Sequence, residues 1–354
     1  MEAKTAITAA NANRKRIKAR PELGANYVCH LIAAAGAWFD NDYGRGFRDF
    51  IPAADRDYLC RQADLLRFGD GRAGPLSKPL ILLPAYLNLA SEPAFGEYLG
   101  LLGRGLGGDA GPFLAKYAGQ PRGLAAWLGP VDEGWLAGLA ADPVVASEVQ
   151  AVGDVFYRNF LAYAARVWWR LSEGLGYAAG RLNQRLAGLD LIGAWEGTTG
   201  LRFRAPGLRV ILVNSLANGP DAISLAYDRA VVCSGSAAES MVASISRAAG
   251  AQILTDLVRP ALPAGAAGGG PGAQICLAGP QGPMAYPVEL VYRAFAGLCR
   301  FYDRVVRESL GICGAGDHAR QNGFDTLYRD LQAARPGLTP AALLAAALAR
   351  AAGR

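Results

Sequence analysis

The chain has 354 residues, 52% of them hydrophobic and 19% charged, so it can bury one large core or two smaller ones and does not have the composition of a disordered protein. Its formal charge is +6, from 36 basic and 30 acidic residues, a mild excess that does not by itself argue for nucleic acid. The six cysteines, at 29, 60, 233, 276, 299 and 313, include no CxxC pair and read as reduced, mostly buried thiols.

The basic excess is uneven. Arg14, Lys15, Arg16, Lys18 and Arg20 crowd the first twenty residues, among almost no large apolar side chains. Residues 1–22 therefore read as a basic, solvated arm, of the kind that touches phosphates or an acidic partner. No apolar h-region follows these charges, so no secretory signal is expected. The apolar stretch from Leu338 to Ala349 is too short to span a bilayer. The expected location is the cytoplasm, with no membrane partner.

Residues 23–140 read as helical. Tyr27, Leu31, Ala34, Ala35 and Trp38 recur at helical spacing, and Asp40-Asn41-Asp42-Tyr43-Gly44 then predicts a turn. The clearest helix follows Asp142-Pro143, an N-cap with proline at the first helical position. From there Val145, Val149, Val152, Phe156, Phe160, Tyr163, Val167 and Leu171 form one apolar stripe, which marks a core helix. Residues 141–354 read as an α+β region, either separate from the helical part or continuous with it.

The texture changes near residue 200. Leu201-Arg202-Phe203-Arg204 alternates, and Val210-Ile211-Leu212-Val213 is a short apolar run of the buried-strand kind. Asn218-Gly219-Pro220-Asp221 predicts a turn, and residues 222–233 then read as a hairpin. Ser236-Ala237-Ala238-Glu239 fits a capping box that opens a helix reaching about Val258. Further helices are expected from about Pro287 and over 339–352. The fold class is thus mainly helical α+β, with a small antiparallel sheet over about residues 201–233 packed on a central helix.

Two histidines limit the available chemistry. His30, beside Cys29 on an apolar face, reads as a core histidine with a hydrogen-bond partner. His318 follows Cys313 and Asp317 in a glycine-rich loop, a grouping that would supply a nucleophile, a base and an orienting carboxylate. Gly103-Arg104-Gly105-Leu106-Gly107-Gly108 matches GxGxxG, but residues 95–102 before it look helical, whereas a dinucleotide fingerprint follows a strand.

The order of elements between Trp168 and Tyr302 carries a resemblance. A long helix, Trp195-Glu196-Gly197-Thr198-Thr199-Gly200, a small sheet, a helix with an early glutamate and a later helix with another follow one another. Over about residues 160–305 this resembles the core of zincin-type metallopeptidases of the glutamate-ligand (gluzincin) kind. The resemblance places Glu239 at the general base of HExxH, Ala238 and Val242 at its two histidines, and Glu289 at the downstream glutamate ligand. Alanine and valine cannot ligate zinc, so it implies a degenerate site with no metal or cofactor.

The function it implies is that of a catalytically inactive, metallopeptidase-like protein. Such a protein would serve as a binding or scaffold module for a peptide or protein segment, added at a sheet edge. Two alternatives stand beside it. One is a metal-independent hydrolase using Cys313 and His318, and the other a nucleic-acid-associated protein using the Arg14–Arg20 arm.

Overall fold

The computed structural model describes residues 16–38, 40–69, 72–120, 123, 129–217, 222–258, 274–279, 282–312 and 323–353. Cys313, Asp317, His318, Arg14, Lys15 and the turn at 218–221 lie outside these residues. The chain is mainly helical α+β.

Helices α1 (Leu23–Ala35), α2 (Leu83–Leu87), α3 (Glu92–Leu106) and α4 (Pro143–Tyr163) supply much of one helical layer. The Asp142 carboxylate accepts the backbone N–H groups of Val144 and Val145 at 2.9 and 3.2 Å, the cap that its position before Pro143 predicts. From α4 the helix continues through a π-helical segment, Ala164–Trp168, into α5 (Trp169–Ala187). Val149, Val152, Phe156, Phe160, Tyr163 and Val167 of the expected stripe are all buried. The Asp40–Gly44 stretch is more than a turn, because the Asn41 carboxamide accepts the Gly44 N–H at 2.6 Å and starts a short helix, Asp42–Phe47.

The sheet is mixed rather than antiparallel. Strands β2 (Gly207–Val213), β3 (Ala222–Ala226) and β4 (Arg229–Cys233) fall within the expected region, and β3 and β4 form the expected antiparallel hairpin. Two pairings are parallel, however: β4 with β2, and β2 with β1 (Arg16–Pro21). The spatial order is β1-β2-β4-β3.

Residues 16–21 are therefore a strand and not part of a solvated arm. Their alternation is real but weak: Ile17 and Ala19 face one core while Arg16, Lys18 and Arg20 face the other way. The outer edge of β1 is closed by α5, whose Asn183 carboxamide accepts the Ala19 N–H at 2.8 Å and donates to the Ala19 carbonyl at 2.8 Å. Residues 201–204 alternate in sequence yet form no strand. Instead the Phe203 N–H donates to Glu196 Oε1 at 2.8 Å, and the Arg204 N–H to the Tyr227 hydroxyl at 2.7 Å.

The sheet separates two apolar clusters. On one face Ile211, Val213, Val231 and Cys233 join Tyr27, Phe95, Phe156 and Phe160. On the other, Leu208, Val210, Leu212, Ala230 and Val232 meet α5, α6 (Leu191–Thr199), α7 (Ala238–Leu254) and α8 (Val288–Ser309) through Leu182, Trp195, Ile245 and Leu298. Helices α9 (Gly323–Ala334) and α10 (Pro340–Ala351) complete that layer, with Thr339 capping α10 as its place before Pro340 predicts. Among the described residues no helix is long and apolar enough to cross a membrane.

The capping box at 236–239 does not form. Helix α7 starts at Ala238 with Ala237 as its N-cap and no side-chain cap, so Ser236 lies one residue too early and Glu239 one too early for the N3 role.

Close packing of α7 on α6 depends on one glycine. A Cβ at Gly250 would collide with the Trp195 indole, whose Nε1 donates to Ser246 Oγ at 3.0 Å and so holds the ring in place. Gly250→Ala is expected to destabilise the fold by about 1–3 kcal/mol, read as a lower denaturant midpoint with an unchanged m-value.

Candidate functional site

The residues singled out by the resemblance are dispersed in exposure. Ala238 is exposed, Val242 is fully buried against the sheet-side core, and Glu289 is exposed in the first turn of α8. Glu239 pairs with Arg185 of α5, its Oε1 2.8 Å from the guanidinium Nε. Among the described residues no group of three or more His, Cys, Asp or Glu side chains is placed to hold a metal ion. The GxGxxG segment spans the end of helix α3 and the turn after it, with Gly108 at a φ of +98°, so it is no phosphate loop after a strand.

His30 is the core histidine its neighbours predict. Its Nδ1 lies 2.8 Å from the Tyr43 hydroxyl and its ring 4.6 Å from that of Tyr163. Burial lowers its pKa from 6.5 to about 3, so the imidazole is neutral in the fold.

A different constellation stands out on the α1 face of the sheet. The parallel registers pair Lys18 with Arg209 and Arg209 with Arg229, which places three cations side by side across β1, β2 and β4. Strands lie about 4.8 Å apart, so the row spans roughly 10 Å at the backbone. Arg16 and Arg20 flank Lys18 on the same face of β1. Exposure falls along the row: Lys18 is exposed, the Arg209 side chain is 38% exposed and that of Arg229 only 13%.

Neighbouring elements shape the deep end. Asn88, at the left-handed end of α2, accepts the Gly24 N–H at 3.0 Å and ties the end of α2 to the first turn of α1. The Arg229 guanidinium lies 3.7 Å over the centroid of the Tyr86 ring and donates to the Tyr86 carbonyl. Burial lowers the pKa of Arg229, and Arg209 lowers it further, while Tyr86, Asp228 and Glu22 oppose the shift.

Among the described residues, the carboxylates seen beside these five cations are two. Glu22 is buried, with Oε1 2.6 Å from Arg20 Nε and 3.7 Å from Arg209 Nη1. Asp228 accepts the Tyr86 hydroxyl at 3.4 Å and lies 4.0 Å from Arg229 Nε. Three buried polar atoms of this group, Glu22 Oε2, Asp228 Oδ1 and Arg229 Nε, have no hydrogen-bond partner among the described residues. The arrangement has cations and few counter-charges, and it lacks a nucleophile beside a base. Such an arrangement can bind an anion, since guanidinium forks match phosphate oxygens.

Sequence reading singled out Arg16, Lys18 and Arg20 but passed over Arg209 and Arg229. Each follows a strand pattern in which the preceding or following residue is buried, and only the parallel register aligns them. Comparison with protein-family models, curated proteins and solved structures finds no match.

The lowered pKa of His30 has a definite sign. Below about pH 6.5 the unfolded chain takes up a proton that the fold refuses, so stability is full above that pH and falls as pH drops toward 3. The unfolding free energy of the native chain should fall more steeply with acid than that of His30→Phe, by up to about 1.4 kcal/mol per pH unit. Equal slopes would show that His30 is not held neutral.

Proposed function

We propose that this protein binds a compact, multiply charged anion, such as an oligophosphate group, on the sheet face formed by β1, β2 and β4. The observation that supports this most is the alignment of Lys18, Arg209 and Arg229 in one cross-strand row. Like charges directly opposite on neighbouring strands weaken a sheet, so an anion bridging them would relieve a cost that the protein alone carries.

The gradient of exposure suits a small ligand that enters beside Lys18 and Arg209 and reaches toward Arg229. The aromatic ring at the site, Tyr86, is 5% exposed and already stacked under Arg229, so it offers no platform for a nucleobase. That favours a phosphate group over a single-stranded nucleic acid. Peptide addition at the β1 edge has less support, because Asn183 occupies the outer backbone of β1 at Ala19.

Titration calorimetry with pyrophosphate tests the reading. Binding is expected for the native chain, weakening with added salt, and Arg209→Gln should lower affinity about tenfold or more, the loss of one charge-assisted hydrogen bond. Heat that is unchanged in Lys18→Gln/Arg209→Gln, with a native circular dichroism spectrum, would contradict it.

A further inference from the structure

The long helix carries an unusual exposed face. Of the six large apolar side chains exposed among the described residues, five lie on it: Val144, Tyr157, Leu161, Trp169 and Tyr177. In an unbroken α-helix Leu161 and Trp169, eight residues apart, would diverge by about 80°. The π segment at Ala164–Trp168 has a wider turn, about 4.4 residues, and brings the two back to within roughly 20° of each other. Tyr157, Leu161, the exposed Ala165 and Trp169 thus share one ridge.

Apart from Arg158, which Asp55 engages, the exposed charges nearest the ridge's centre differ in sign on its two sides, and the exposed Glu173 lies a further turn beyond Arg170. Asp154, before the ridge's centre, is exposed, as are Arg166 and Arg170 after it. None of the three forms an ion pair among the described residues; the neighbouring Arg158 is engaged by Asp55 instead. Asp154 and Arg170 are sixteen residues apart, about 24 Å along the axis, and cannot meet within one chain.

We propose that this ridge is where a second copy of the chain docks, antiparallel, about a two-fold axis near Leu161. That axis packs Leu161 on its symmetry mate and sets the bulky Tyr157 level with the small Ala165 of the second copy. It also brings Asp154 level with residue 168 of the second copy, within one turn of both Arg166 and Arg170. An isologous contact of this kind places Asp154 of each copy beside Arg166 and Arg170 of the other. Tyr157 flanks α3, its hydroxyl donating to Glu92 at 2.8 Å, while Leu161, Ala165 and Trp169 point away from the buried stripe.

Sedimentation velocity of the full chain tests the proposal. A dimer is expected, and Leu161→Glu should leave a folded monomer. Asp154→Arg alone and Arg166→Asp/Arg170→Asp alone should each be monomeric by like-charge repulsion. An equal mixture of those two variants should recover the dimer, since both contacts then pair opposite charges. A native chain that stays monomeric at its highest soluble concentration would overturn the proposal. So would two folded charge variants that dimerise separately, or whose mixture does not recombine.

Discussion

The parallel pairing of β1 with β2 is the contact on which the rest of this molecule depends. It adds a strand to a sheet that would otherwise have three, with the registers running from Arg16 opposite Gly207 to Pro21 opposite Leu212. At Gly207 the two backbones come so close that a Cβ would strike the Arg16 carbonyl, so glycine is the residue that lets the ladder begin there. Helix α5 then seals the new edge through Asn183, and α1 leaves the end of β1 to cover the opposite face. One strand thereby joins both apolar clusters, through Ala19 on one side and the chain entering Tyr27 on the other.

The same pairing creates the electrostatic imbalance of the candidate site. Elsewhere buried carboxylates have dedicated arginines: Asp55 receives Arg158 through a bidentate contact, and Arg300 Nε lies 3.2 Å from both oxygens of Asp325. Around β1 the proportion is reversed, with Arg16, Lys18, Arg20, Arg209 and Arg229 facing Glu22 and Asp228. Arg229 is held over Tyr86 rather than against a full counter-charge. Like charges aligned in register weaken a sheet, and the proposed anion would give the alignment a physical role.

Much of the scaffold was legible in the sequence because its signals are local. Asp142 before Pro143 specifies a cap, the stripe from Val149 to Val167 specifies a buried helical face, and residues 222–233 carry strand alternation on both sides of a reversal. The parts that were not legible depend on partners distant in the chain. Residues 16–21 have only Ile17 and Ala19 to mark an apolar face, too little area to signal a strand until β2, some 190 positions later, supplies its neighbour. Ser236 and Glu239 match a capping spacing, but helix α7 begins two residues after Ser236, and Arg185 of α5 takes the carboxylate. The cation row had no such local spacing, since its members come from three strands.

Hydrogen exchange over residues 16–21, with and without pyrophosphate, tests this account most directly. The Ala19 amide, bonded to Asn183, and the amides facing β2 should be protected in the free protein and should slow further when the anion binds. Immediate exchange through this segment in the folded protein would contradict the account, because without β1 in the sheet the row of cations does not exist.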